Sequence, residues 1–219
     1  MTGEHAMPPT LTDPLVHLMA RVTRVSARCI IGIAGPPGAG KSTIARQLVD
    51  AVNAQLPAVQ ATVLGMDGFH LSKAQLRQMP DPEHAFARRG APWTFDAAGF
   101  IYALQRIRTG QQTSWPDFAH DVGDPVPDAI TVPPQARLII VEGLYLLHDG
   151  DGWGGAKPLF DECWYLNTPM EVAMERLARR HMQAWGFTRA QAQHRIDSSD
   201  GLNATLVAAS ALHADWHVE

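Results

Sequence analysis

The chain has 219 residues, of which 46% are hydrophobic and 18% charged, and this composition excludes disorder for most of its length. The formal charge of −4 at pH 7 argues against a nucleic-acid partner, because nucleic-acid binders usually concentrate positive charge on one face. Its apolar runs are shorter than the ~18 residues of a membrane-spanning helix, and residues 1–9 lack a signal-peptide core. We therefore expect one cytoplasmic domain over residues 1–219, with no membrane partner and with Cys29 and Cys163 as buried thiols.

Helices and strands are predicted to alternate along the chain. Helical periodicity occurs over residues 11–28, Ser42–Gln55 and Ala97–Thr109. In the first of these helices, Thr12 or Asp13 is the expected cap, with Pro14 at an early helical position. Short apolar runs typical of buried parallel strands lie at Cys29–Ala34, Thr62–Met66, Arg137–Val141 and Cys163–Leu166. This alternation predicts an α/β fold of three layers, in which a mostly parallel sheet has helices on both faces.

Two further segments interrupt or follow this pattern. Residues 80–96 contain prolines and mixed charges and are predicted to form an ordered insertion beside the acceptor site. Thr168 as a cap and Pro169 at the first helical position predict a helix that extends to about Trp185. Thr188 and Gln191 match a capping box, which predicts a second helix to about Ser198.

The most specific motif lies between the first strand and the next helix. Residues 35–42 have the sequence GPPGAGKS and fit G-x-x-x-x-G-K-[ST] in the strand-to-helix context that this motif requires. There, backbone N–H groups face a polyphosphate, Lys41 reaches the terminal phosphates and Ser42 ligates Mg²⁺. The alternative is a glycine turn that binds no nucleotide. We predict a site for ATP and Mg²⁺ whose nucleotide-binding residues are Gly35, Pro36, Pro37, Gly38, Ala39, Gly40, Lys41, Ser42 and Thr43.

Two of the predicted strands end in a carboxylate, Glu142 in one and Asp67 in the other. Parallel strands deliver such residues to the crevice at their carboxyl ends. We predict that Glu142 shares the metal with Ser42, and that Asp67 either accepts the proton of an attacking hydroxyl or binds the metal. The alternatives are an ordinary carboxylate at a strand end and a turn-forming Asp-Gly pair.

Three arginines follow Pro169 at helical spacing. Arg176, Arg179 and Arg180 lie at i, i+3 and i+4, so they are expected to share one helix face and to close over a triphosphate as bidentate clamps. An exposed arginine-rich helix also occurs for solubility alone. We predict that residues 169–198 form a helical lid and that Arg176 and Arg180 bind ATP.

Aromatic and single polar side chains near Asp67 suit a polyhydroxylated ligand. A second phosphate on the acceptor would need its own arginine clamp, and only Arg88 and Arg89 offer one outside the lid. Each of these side chains is also compatible with a packed or solvated loop. The predicted acceptor-binding residues are Phe69, His70, Arg89, Trp93 and His120.

These features together resemble the uridine kinase, phosphoribulokinase and type I pantothenate kinase family of P-loop kinases. The resemblance covers about Ile30 to Val207, and within the family the chain is similar to bacterial proteins labelled fructose transport system kinases. It implies that Asp67 is the general base, that Glu142 helps to bind Mg²⁺ and that lid arginines clamp the phosphates. The matching segments are Gly35–Ser42, Asp67-Gly68-Phe69, Arg89–Asp96 and Glu142-Gly143-Leu144.

Two departures from the family pattern bear on the acceptor. Phosphoribulokinases carry arginines shortly after the Asp element, where the nearest cations here are Lys73 and Arg77. The Tyr-Ser-His segment of pantothenate kinases corresponds here only to Asp117-Phe118-Ala119-His120. Both departures argue against those two families' own acceptors.

We therefore predict a kinase that transfers the γ-phosphoryl of ATP to a hydroxyl of a small molecule, with a sugar or nucleoside favoured over a sugar phosphate. The alternatives are a GTPase or ATPase switch and a non-catalytic nucleotide-binding regulator. The absence of an Asn-Lys pair argues against the GTPase. The sequence leaves a homodimer open.

Overall fold

The computed structural model describes residues 9–24, 27–119 and 122–219. The strands in these residues are β1 (Cys29–Ala34), β2 (Ala61–Gly65), β3 (Thr113–Ala119), β4 (Asp124–Val132), β5 (Leu138–Gly143), β6 (Glu162–Leu166) and β7 (Trp216–Val218). The α-helices are α1 (Pro9–Arg24), α2 (Lys41–Gln55), α3 (Lys73–Arg77), α4 (Pro82–Ala87), α5 (Ala97–Arg108), α6 (Met170–Trp185), α7 (Arg189–Arg195) and α8 (Gly201–Ala209).

A five-stranded parallel sheet in the order β2-β5-β1-β6-β7 forms the middle layer. Successive residues of the central strand β1 face opposite sides, and both sides are buried. Ile30 packs in one core with Phe100 of α5, whereas Ile31 packs in a second core with Leu48 of α2. Helices thus cover both faces, and the predicted α/β fold is confirmed.

The register brings the carboxyl ends of three strands to one edge of the sheet. Ala34 of β1 pairs with Gly143 of β5, and Gly65 of β2 pairs with Glu142. The segments that leave these strands therefore start side by side, as parallel strands require.

The four predicted strands are found within two residues of their expected bounds, but the first helix differs from the prediction. It begins at Pro9 and ends at Arg24, instead of covering residues 11–28. Pro14 lies inside the helix, so Thr12 and Asp13 are not caps. A proline without an N–H fits the first helical position, and the helix uses Pro9 there.

The hairpin of β3 and β4 was not predicted. These strands pair antiparallel in a separate two-stranded sheet, with an irregularity between Trp115 and Asp117. Trp115 is fully buried, and its indole Nε1 donates to the carbonyl of Gly65 at 2.9 Å. Prolines in both strands, Pro116 among them, obscure the strand pattern because proline donates no ladder hydrogen bond.

Helix α6 begins at Met170, so Pro169 is its N-cap residue and not its first helical residue, and the expected cap Thr168 has another role. The Thr168 hydroxyl donates to the carbonyl of Ala39 at 3.0 Å, and no side chain caps the helix at Pro169. The capping box of Thr188 and Gln191 is confirmed. The helix that it opens does not end near Ser198, because a π-helical turn over Ile196–Asp200 leads directly into α8.

Cys29 and Cys163 are buried free thiols, as expected. Burial raises the pKa of Cys29 to about 11 and the pKa of Cys163 to about 12, so both are protonated at neutral pH. Neither has the thiolate character that reactive cysteines need. Within the described ranges, no helix is both long enough and apolar enough to cross a membrane.

Gly68 lies directly under the hairpin and is the basis of a stability prediction. A Cβ added there would overlap the Pro116 carbonyl, so Gly68→Ala must displace either the hairpin or the turn that carries Asp67. We expect a loss of about 1–3 kcal/mol, the usual cost of overpacking, measured by urea denaturation.

Gly65→Ala is the matched control for Gly68→Ala. The nearest atom to its new Cβ is 3.7 Å away, and its φ of −93° suits alanine. Its stability should stay within about 0.5 kcal/mol of wild type or rise slightly. Equal stabilities for the two variants would show that the hairpin does not constrain the turn.

Candidate active site

The loop of residues 35–40 connects β1 to α2 and depends on glycine at two positions. Gly38 and Gly40 have φ values of 82° and 98°, a region that other residues adopt only with strain. A Cβ on Gly38 would also overlap the carbonyl of Ala173 in α6. The loop therefore lies against the helix that carries the predicted lid arginines.

Lys41 is buried at the start of α2, with 8% of the residue exposed. Its ammonium donates to the carbonyls of Gly35 at 2.9 Å and Pro36 at 3.1 Å. Burial lowers the pKa of Lys41, while the negative charges of Glu142 and Asp67 oppose this shift. The three charges predicted from separate parts of the sequence thus lie close enough to interact.

Glu142 is the penultimate residue of β5 and lies opposite the first turn of α2. Its Oε1 accepts a hydrogen bond from the Ser42 hydroxyl at 2.8 Å. Burial raises the pKa of Glu142, and the positive charge of Lys41 acts in the opposite direction. The two residues predicted to share a metal are therefore in direct contact.

Asp67 lies in a single turn of 3₁₀ helix, Met66–Phe69, that follows β2. Its side chain is exposed and lines a cavity of about 470 Å³, within the ~300–1,000 Å³ usual for small-molecule sites. The cavity also contacts Pro37 of the loop and Arg180 of α6. Asp67 thus faces a space large enough for a small ligand beside the loop.

The predicted acceptor-binding residues have different locations. His70 and Arg89 line the cavity, and the His70 ring lies 4.0 Å from the Phe95 ring and 4.7 Å from the Phe118 ring, centroid to centroid. Phe69 does not line it, because its side chain is buried against Phe100 and Trp115.

Trp93 and His120 complete the predicted set. Trp93 is half-buried and packs on the ring of His84, with centroids 5.6 Å apart, and it is not among the residues that line the cavity. His120 lies outside the described residues. The structure therefore brings His70 and Arg89 to the cavity and leaves Phe69 and Trp93 as packing residues.

Arg89 holds the hairpin to the segment that follows β2. Its guanidinium donates to the carbonyls of Gly123 at 2.6 Å and Leu71 at 2.9 Å. It also forms an ion pair with Asp124 at 3.0 Å and lies 5.6 Å from the centre of the Phe118 ring. Most of its hydrogen-bonding capacity is thus used within the protein.

The three arginines of α6 do not share one role, contrary to the expectation from their spacing. Arg180 lines the cavity, and Arg176 Nη1 lies 4.0 Å from where a Cβ on Gly40 would be. Arg179 instead forms an ion pair with Glu175 at 2.9 Å on the exposed side of α6. Arg176 and Arg180, which are four positions apart, therefore face the loop, whereas Arg179 faces solvent.

Several further cavity residues lie on the helices that follow β6; from the sequence, Arg195 and residues 200–203 are expected only as the return of the lid and are not assigned to the site. His181 and Trp185 of α6 line the cavity, as do Asp200 of the π-helical turn and Asn203 of α8. Arg195 also lines it and donates to the carbonyls of Ala87 and Arg89, each at 2.8 Å. No local motif marks these residues, because they reach the rest of the cavity through contacts with distant segments, such as those of Arg195 with residues more than a hundred positions earlier.

A parallel α/β sheet whose central strand leads through the G-x-x-x-x-G-K-[ST] loop into a helix defines the chain as a P-loop nucleotide-binding protein. The profile described as the Phosphoribulokinase / Uridine kinase family matches residues 30–200. The chain belongs to this family.

Individual relatives agree with this family membership. The protein named "Putative uridine kinase C227.14" of Schizosaccharomyces pombe is 39% identical over 199 residues, which cover 89% of this chain and 84% of the relative. A "putative fructose transport system kinase" from Silicibacter sp. TM1040 has a crystal structure with a TM-score of 0.85 and 31% identity, covering 97% of this chain and 99% of its own.

A third similarity supports the fold alone. The YFH7 structure from Saccharomyces cerevisiae, described as a "putative P-loop containing kinase", has a TM-score of 0.80 at 22% identity over 92% of this chain and 95% of its own. Family and relatives together support ATP-dependent phosphoryl transfer by a P-loop kinase.

The positions of the α6 arginines predict different effects for two neighbouring substitutions. Arg180→Ala should lower ATP turnover by about 10²–10³-fold, the range seen when one charge-stabilising donor is removed. Arg179→Ala removes only an exposed ion pair and should stay within about twofold of wild type, since such pairs contribute about 0–1 kcal/mol.

Steady-state ADP release by the two purified variants measures this difference. Both substitutions remove the same side chain from the same helix, so a general loss of helix stability would affect them equally. Similar activity for both variants would contradict an active-site position for Arg180.

Proposed function

We propose that this kinase transfers the γ-phosphoryl of ATP to a hydroxyl of a small molecule, with Asp67 as the general base and a sugar or nucleoside as the acceptor. The observation that carries this proposal is that Asp67 lines a cavity of about 470 Å³ while its charge acts on the buried Lys41. An acceptor in the cavity would therefore meet a carboxylate and the phosphate-binding loop together.

The loop and Lys41 would stabilise the negative charge that develops on the transferred phosphoryl group. Backbone N–H groups at the start of α2 and the positive end of this helix favour phosphate binding. The Lys41 ammonium is held in place by the carbonyls of Gly35 and Pro36. Such prearranged charges lower the barrier because they need no reorganisation when the reaction occurs.

The donor set of Ser42 and Glu142 fits Mg²⁺. Mg²⁺ prefers oxygen ligands and is usually bound by one or two carboxylates, with phosphates and water as its remaining ligands. Here a hydroxyl and a carboxylate oxygen lie 2.8 Å apart at the edge of the sheet. When bound, Mg²⁺ would neutralise charge on the phosphates.

Helices α6 and α7 would act as a lid over this site. In support, Arg195 of α7 donates to the carbonyls of Ala87 and Arg89, which ties the proposed lid to the insertion of residues 80–96. Closure of such elements excludes water and so reduces hydrolysis of ATP.

The hydrogen bonds of the cavity arginines favour an acceptor without a phosphate of its own. Arg89 is bonded to Leu71, Gly123 and Asp124, and Arg195 is bonded to two backbone carbonyls. Arg88 is not among the residues that line the cavity, but it donates to the amide oxygen of Asn203, which does, at 3.1 Å. A second phosphate would have to displace these contacts to obtain a bidentate clamp.

Asp67→Asn tests the proposed base. The substitution keeps the shape and a hydrogen-bond acceptor but removes the ability to take a proton, so turnover should fall by about 10²–10⁴-fold. The affinity for Mg·ATP should change little, because Lys41, Ser42 and Glu142 remain. Acceptor-dependent ADP release and titration with Mg·ATP give the two quantities, and Lys41→Ala defines the background rate.

The other outcomes for Asp67→Asn have distinct meanings. If Asp67 is mainly a metal ligand, Mg·ATP binding itself weakens and added Mg²⁺ partly restores turnover. If it is a turn residue, asparagine also suits the turn and activity stays close to wild type. That last result would refute the general-base assignment.

A screen of paired acceptors tests the proposed acceptor class. The pairs are D-fructose with fructose 6-phosphate, uridine with uridine monophosphate, and D-ribose with ribose 5-phosphate. We expect kcat/KM for one neutral member to exceed that of its phosphorylated partner by at least about tenfold, because the extra phosphate would have to displace the internal hydrogen bonds of Arg89 and Arg195. Activity confined to the phosphorylated members would refute this acceptor class.

A further inference from the structure

Asp200 is a carboxylate of the cavity that the proposed phosphoryl transfer does not use. It lies in the π-helical turn Ile196–Asp200 and lines the same cavity as Asp67. Turns of this kind are rare in helices and often occur at functional sites. This turn ends at Asp200, and α8 begins at the next residue, Gly201.

One oxygen of Asp200 is fixed by two basic side chains. Its Oδ2 is hydrogen-bonded to His181 Nε2 at 2.8 Å and lies 3.7 Å from Arg195 Nε. His181 is itself held in place, because it is 4% exposed and stacks on the Trp185 ring at 4.4 Å with an interplanar angle of 11°. The carboxylate therefore has a defined orientation before any ligand binds.

The other oxygen of Asp200 is available to a ligand. Among the described residues, no protein donor is hydrogen-bonded to Oδ1, and 15% of the side chain is exposed. A partly buried carboxylate oxygen is stabilised when a donor reaches it. An acceptor in the cavity would be well placed to supply that donor.

We propose that Asp200 determines acceptor specificity by accepting a hydrogen bond from a second hydroxyl of the acceptor, one that is not phosphorylated. The inference rests on the proposed kinase function, because it assigns the two ends of one acceptor to two carboxylates of one cavity. Asp67 accepts the proton of the reacting hydroxyl, and Asp200 accepts a hydrogen bond from the other hydroxyl. The acceptor class is thus a neutral molecule with at least two hydroxyl groups.

The chemistry of the two carboxylates explains why such a site would discriminate strongly. A site that hydrogen-bonds a substrate hydroxyl rejects the analogue that lacks it, because the buried acceptor oxygen is then left without a partner. At Oδ1 of Asp200, a carboxylate or phosphate of the acceptor would meet a negative charge and would supply no donor. Neutral polyols are favoured on both grounds.

A purely structural role is the main competitor, in which Asp200 only anchors His181. Both roles predict that Asp200→Asn harms the enzyme, so loss of activity alone does not separate them. The two roles differ in whether the variant still discriminates between an acceptor and the analogue that lacks one particular hydroxyl. The test therefore uses acceptors that lack single hydroxyl groups.

The experiment measures acceptor kinetics of wild type and Asp200→Asn with D-fructose, D-ribose and uridine, together with the monodeoxy analogues of each. With wild type, one analogue that keeps the reacting hydroxyl should have kcat/KM about 10–100-fold below its parent. With Asp200→Asn, the acceptor KM should rise by a similar factor, while the KM for ATP stays within about twofold. In this variant, kcat/KM for the parent acceptor should exceed kcat/KM for the analogue by less than about threefold.

Asp197→Asn is the matched control, because Asp197 lies in the same π-helical turn, is exposed, and is hydrogen-bonded to Gln193 at 2.8 Å. Asp197→Asn should show the same ratio of kcat/KM between parent and analogue as wild type. If Asp200→Asn fails to fold, the wild-type analogue series still tests the proposal, since it needs no variant.

The outcomes separate this inference from the proposed function. The role of Asp200 is refuted if, with wild type, every monodeoxy analogue that keeps the reacting hydroxyl has the same kcat/KM as its parent. It is also refuted if Asp200→Asn shows the same ratio of kcat/KM between parent and analogue as wild type. Phosphorylation of anionic acceptors only, such as fructose 6-phosphate or D-glycerate, refutes the inference and leaves the kinase function standing. Failure of wild type to phosphorylate any acceptor refutes the proposed function itself.

Discussion

The buried ammonium of Lys41 is the charge around which the site is organised. A buried cation is costly unless hydrogen bonds and opposite charges compensate it. The carbonyls of Gly35 and Pro36 accept its hydrogen bonds, and the charges of Glu142 and Asp67 oppose the effect of burial on its pKa. Glu142 lies in β5 and Asp67 follows β2, so compensation depends on the strand order β2-β5-β1 and on the register that pairs Gly65 with Glu142.

The turn that carries Asp67 is fixed from the side opposite the cavity. Phe69 is buried between the rings of Phe100 and Trp115, and Gly68 lies against the Pro116 carbonyl. Because these two residues point inwards, Asp67 and His70 on either side of them face the cavity. Phe69, which was expected to contact the acceptor, instead positions Asp67 and His70, which line the cavity.

Backbone carbonyls hold the arginines that close the cavity. Arg89 joins the hairpin to the segment after β2, and Arg195 joins α7 to the insertion of residues 80–96. A guanidinium presents five donors in a rigid fork, which suits it to bridging several acceptors at once. These bridges hold four segments of the chain together around the cavity, and an anionic acceptor would have to displace them to use both terminal nitrogens of Arg89 or Arg195.

The sequence by itself determined the parallel α/β sheet, the bounds of its strands to within two residues, and the contact between Ser42 and Glu142. These features follow from short-range signals: apolar runs, a glycine loop with a fixed spacing, and residues placed at the ends of strands. Only the tertiary structure decided that Phe69 is a core residue, that Arg179 faces away from Arg180, and that β3 and β4 form a hairpin. It also brought Asp200 to the cavity. The positions of Phe69 and Asp200 depend on contacts between segments distant in sequence, and such contacts leave no periodic trace in the chain. The hairpin is local, but its prolines obscure the strand pattern. Arg179 pairs with Glu175 on the exposed side of α6.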